Sequence, residues 1–157
     1  MDKQFLIDTG KEDIEQMDEL APVLLVEHGD HVIDMVVLAG GHPYPMLMAM
    51  LPMLREMQPT SMALTTDTYI ITGELGDEEE VMAVRERYGN SLQAAFEAGE
   101  PLVSEALHIT MVDRFKTEVV TLPYTRTKGG ITWAEPKGVD GAEVSGRMID
   151  VLRAVWS

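Results

Sequence analysis

Residues 103–134 read VSEALHITMVDRFKTEVVTLPYTRTKGGITWA. Valine, isoleucine, threonine and aromatic residues recur between two short polar breaks, which is the composition of a pleated, half-buried surface. The expected strands are Val103–Val112, Lys116–Tyr124 and Ile131–Ala134. The first break is Asp113-Arg114-Phe115. The second contains Lys128-Gly129-Gly130, and one of these glycines should take the positive φ that a tight hairpin needs. This stretch therefore predicts a three-stranded antiparallel meander.

Working outward, Ser61–Thr72 (SMALTTDTYIIT) predicts a further strand ending at Gly73. Between it and the meander, GELGDEEE reads as a solvated loop entering a helix over Glu78–Ala98. Asp77 with Glu80 has the spacing of a capping box, and Gly89 is a point of division. Upstream, Met46, Leu47, Met50, Leu51, Leu54 and Met57 share one helical face within Pro43–Met57, with Pro52 as a kink or restart. His28–Leu38 reads as a buried strand or a short helix. Helix is preferred, because Asp34 interrupts a strand and Gly40-Gly41 makes a natural stop. Lys11–Val26 is expected to be helical, with Glu12, Asp13 and Glu15 in its first turn and Pro22 ending it near Leu20. Residues 1–9 form an arm in which Phe5, Leu6 and Ile7 either pair at a sheet edge or stay loose. EPKGVDG is a loop, and Ala142–Val155 closes the chain as a helix. These elements add up to one α+β domain over residues 1–157. Its small antiparallel sheet, the meander plus the 61–72 strand, is covered by helices on one face.

The charge is lopsided. Residues 1–100 carry 5 Lys+Arg against 20 Asp+Glu, while residues 101–157 carry 7 against 7, so the whole net charge of −15 lies in the first part. A field of that sign repels phosphates and anionic headgroups and favours a protein partner with a basic surface. No nucleic-acid partner and no membrane partner is expected. The balanced C-terminal part would suit self-association with the acidic end of another copy. There are no cysteines, which excludes disulfides, thiolate nucleophiles and cysteine-ligated metals. The opening MDKQFLIDTGKEDIEQ has neither the cationic start nor the apolar core of a secretory signal, and a cytoplasmic location is expected.

Few residues suggest chemistry. His28, His31 and His42 lie within fifteen residues of one another, with Asp30 and Asp34 between them. Two imidazoles and a carboxylate with an open position suit a metal-dependent hydrolase, yet the spacing matches neither HExxH nor HxH. A polar turn accounts for the same residues, and no cofactor is expected. Asp67, flanked by threonines on a strand, suits a general base in a cleft or the wet face of a sheet. His108 sits between Leu107 and Ile109, as a structural histidine does. The serines lack a nucleophile context, and GGHPYP is a connector with no phosphate-loop lysine. The basic and aromatic residues of the meander (Arg114, Lys116, Tyr124, Arg126, Lys128, Trp133) are largely offset by carboxylates. The favoured reading is a non-catalytic, acidic protein-interaction domain whose binding residues are Glu78, Glu79 and Glu80 with Glu12, Asp13 and Glu15. The alternatives are the metal-dependent hydrolase and, last, a nucleic-acid mimic.

Overall fold

The computed structural model describes residues 1–17, 20–29, 31–38, 42–71, 78–140 and 146–157. The meander forms as β4 (Val103–Asp113), β5 (Thr117–Thr127) and β6 (Gly130–Trp133), all antiparallel. Gly130 closes the second hairpin with φ 122°. β3 (Ser61–Ile71) pairs with β4 along its whole length, from Ser61↔Asp113 to Ile71↔Val103. The EPKGVDG segment is not a plain loop. β6 occupies only the Tyr124–Thr127 part of the β5 edge, and Lys137–Asp140 (β7) pairs with Glu118–Thr121, taking up backbone groups that would otherwise lack partners.

Two further strands extend the sheet. Val23–His28 (β1) pairs with β3, and His31–Val37 (β2) pairs with β1 through a turn at Gly29, φ 68°. The expected helix therefore does not reach Val26, and 31–37 is strand, not helix. Leu20, Leu24 and Leu25 show helical spacing, but after Pro22 the chain is extended and alternates. Leu24 and Val26 enter one core while Val23 and Leu25 enter the other. Asp34 is tolerated because β2 is the edge of the order β2-β1-β3-β4-β5-β6.

The first helix also starts earlier than its apolar pattern suggests. α1 spans Lys3–Met17, so residues 3–9 are helical and not an arm. Asp2 initiates it, its carboxylate accepting the Gln4 N–H at 2.9 Å and the Phe5 N–H at 3.4 Å. Glu12 and Asp13 consequently lie past the middle of the helix and Glu15 in its last turn, where the dipole disfavours a carboxylate. α2 (Pro43–Met57) runs through Pro52, capped by His42, whose Nδ1 accepts the Tyr44 N–H at 3.2 Å. The Glu78–Ala98 helix divides as expected into α3 (Glu78–Arg87) and α4 (Leu92–Glu97), with Gly89 and Asn90 both at positive φ and Ser91 capping α4. Asp77, the proposed cap of α3, lies outside the described residues. The last helix, α5 (Arg147–Arg153), continues as a 3-10 turn over Ala154–Trp156, and the expected start at Ala142 lies outside the described residues.

The sheet is covered on both faces, not one. α1 lies on one side, where Leu6, Ile7 and Ile14 bury against Ala63, Leu107, Ile109, Val120 and Leu122. α2 and α5 lie on the other, where Leu47, Leu54, Val151 and Leu152 meet Leu24, Val26, Met62, Leu64 and Val112. A smaller cluster joins α3 and α4 to the far end of β3 and β4 through Val84, Ala95 and Val103. The fold is α+β, an antiparallel sheet packed on helices. Among the described residues no helix is long and apolar enough to cross a membrane.

Candidate interaction surface

α1 is laid across β3 and β4 and leaves part of the sheet beside it open. Residues 6, 10 and 14 form its buried stripe. Phe5, Thr9 and Asp13, spaced by one helical turn each, form the flank that looks toward β1. Gly10 sets the depth of the helix: a Cβ there would lie 2.8 Å from a Leu107 methyl. Between this flank and the sheet runs a cleft of about 110 Å³, lined by Phe5, Leu6, Thr9 and Asp13 on one wall and by Leu20, Val23, Leu25 and Thr65 on the other. Apolar side chains dominate it, with Asp13 as its carboxylate. Phe5 is 54% exposed at the mouth, and Met17 is 65% exposed on the same helix.

The opposite wall is fixed by a polar cluster. Asp67, on the α1 face of β3, accepts the Tyr124 hydroxyl at 2.7 Å and the backbone N–H of Leu20. This ties the chain at the start of the cleft to the middle of the sheet. Arg126 reaches Glu105 at 3.2 Å and the Tyr124 hydroxyl at 3.3 Å. Burial holds the Asp67 carboxyl above the ordinary value of 3.8 despite the Tyr124 bond, with the Glu105 charge adding to the rise. Burial, and then Asp67, push the Tyr124 phenol above its usual range. Trp133 packs on the Tyr124 ring and donates Nε1–H to Glu15 at 2.8 Å, with the Lys11 ammonium over the Trp133 ring.

The expected binding residues are separated by this geometry. Asp13 alone of the first group lines the cleft. Glu12 is exposed on the outer side and receives the Gln16 amide, while Glu15 is on the far flank, engaged by Trp133. Glu79 and Glu80 stand in the opening turn of α3, where the helix dipole favours carboxylates, so they have a reason internal to the fold, and the side chain of Glu78 lies outside the described residues. His42 serves as the α2 cap and His28 ends β1. Asp30, like the side chains of His31 and Asp34, lies outside the described residues. Among the described residues no three histidine or carboxylate groups are placed to hold a metal. His108 is half-buried, bonds Thr121 at 3.0 Å, and is held below the ordinary 6.5 by desolvation. Met46, Met50, Met57 and Met62 fill the α2-side core, whereas Met48 and Met53 stay exposed.

At the β4–β5 turn, Phe115 is 88% exposed. Sequence reasoning missed both this side chain and the cleft. The available signal for the cleft was Asp2 as a helix cap, which would have placed Phe5, Thr9 and Asp13 in line. No family model, no curated protein and no solved structure matches the chain.

Proposed function

We propose that this chain is a non-catalytic interaction domain that receives a basic, apolar-tipped segment of a protein partner in the cleft between α1 and β1. The observation that carries the reading is an apolar trough with Asp13 in its wall on a helix that also exposes Asp2, Asp8 and Glu12. Apolar area supplies the holding energy, at about 25 cal/mol per Å² buried. The carboxylates select cationic flanks and speed encounter, since the surrounding field is strongly negative. The acidic opening turn of α3 is a secondary contact in this reading, adding to the field more than to the fit.

The test is titration of the ¹⁵N-labelled protein with a short peptide containing Arg-Phe-Lys. Shift changes should concentrate at Thr9, Asp13, Leu25 and Thr65, and affinity should fall as salt rises. An exposed ion pair is worth about 0–1 kcal/mol, so Asp13→Asn should weaken binding by up to about fivefold. Phe5→Ser should weaken it further by removing the mouth of the trough. Shifts scattered evenly over all acidic surfaces, with none at the cleft, would overturn the reading.

A further inference from the structure

We propose that the cleft is filled by a second copy of this chain, which inserts Phe115 from its β4–β5 turn. This rests on the reading of the cleft as a docking site and names its occupant.

The turn is built to present an aromatic ring. The Asp113 carboxylate accepts the Phe115 N–H at 2.7 Å and the Lys116 N–H at 2.8 Å, and the Asp113 N–H donates to the Lys116 carbonyl at 3.0 Å. Phe115 therefore projects from a fixed turn and not from a loose loop. Arg114 and Lys116 flank it, both exposed and neither in an ion pair among the described residues. An aromatic between two cations is uncommon on a chain of net charge −15, and the cleft is its complement: apolar inside, carboxylate at the wall. An apolar cavity of about 150 Å³ accepts a benzene-sized group, so a cleft of about 110 Å³ open at one side is of the right order for a ring.

The two features cannot meet within one molecule. Thr65, in the cleft wall, pairs with Ile109, and the turn begins at Asp113, four residues along β4. At roughly 3.3 Å per residue the separation is roughly 13 Å, on a rigid sheet. The contact is therefore between copies. It is head-to-tail unless two copies insert reciprocally, in which case it closes as a dimer. A single ring buries about 150–250 Å², well under the ~1,000 Å² of a stable interface, so the association is weak and concentration-dependent.

Sedimentation velocity and ¹H–¹⁵N spectra from about 10 μM to 1 mM test this. Concentration-dependent shifts should occur together at the 113–117 turn and at Thr9, Asp13 and Leu25. Phe115→Ser, which replaces a side chain already in solvent, should abolish them, and Arg114→Glu with Lys116→Glu should do the same. Spectra unchanged with concentration, while the Arg-Phe-Lys peptide still binds the cleft, would overturn the self-association and leave the docking reading standing. Failure of the peptide as well would overturn both. Turn shifts produced by anionic phosphatidylserine vesicles, with none at the cleft at any protein concentration, would assign Phe115 to a lipid surface and overturn the proposal.

Discussion

Asp67 accepts from Tyr124 and from the Leu20 backbone, residues 57 and 47 positions away. Its neighbours in the sequence, Thr66 and Thr68, suggested a wet strand face, and nothing local reveals that a tyrosine two strands over will cover it. The same blindness applies to Tyr124, whose burial beneath Trp133 depends on the hairpin register Tyr124↔Trp133. The sign of the pH effect follows from the raised carboxyl. The folded state binds the Asp67 proton at a higher pH than the unfolded chain does. Its contribution to stability therefore improves as pH falls from the folded-state value to the ordinary 3.8, and is least favourable above that window. Asp67→Asn keeps an acceptor oxygen for the Tyr124 hydroxyl and removes the charge. At pH 7 the variant should be at least as stable as the native protein in urea titrations, with the difference vanishing below pH 3.8. A variant much less stable at pH 7 would mean that the charge itself holds Leu20 in place.

For elements, legibility tracked how local the cause was. The meander, β3, α2 and the division at Gly89 are stated by runs of apolar residues and by turn chemistry within a few positions. β7 was illegible because it exists only to complete the edge that β6 leaves. β2 was misread because the cost of Asp34 depends on its being an edge strand. α1 was misplaced because its buried stripe contains Gly10, which does not count as apolar in any periodicity, yet is the residue that lets the helix approach Leu107. Gly10→Ala tests that approach. Alanine favours the helix by about 1 kcal/mol over glycine, but overpacking against a fully buried leucine costs about 1–3 kcal/mol. A net loss of about 1 kcal/mol is expected in chemical denaturation, with altered amide shifts at Thr9 and Leu25 as the cleft widens. A gain in stability would show that α1 sits loosely on the sheet.

At the scale of the whole molecule, the α+β class followed from the order of elements, whereas the second covered face did not: any strand sends alternate residues to opposite sides, but nothing local says that a helix will lie over each side. Met62 and Leu64 enter the α2-side core and Ala63 the α1-side core, so one strand is a shared wall. The chain has two tryptophans. Trp133 packs against the α1-side core, and Trp156 packs against the α2-side core with Nε1–H bonded to Pro59 at 2.9 Å. Each layer thus carries its own optical reporter. Trp133→Phe and Trp156→Phe each leave one emitter, and in each variant its urea transition should coincide with the loss of far-ultraviolet circular dichroism, as for all-or-none unfolding. Separate midpoints would show that one helical layer can peel away while the sheet persists. Coincidence would mean that a ligand held on the α1 side raises the urea midpoint read from Trp156, behind the sheet from where it binds.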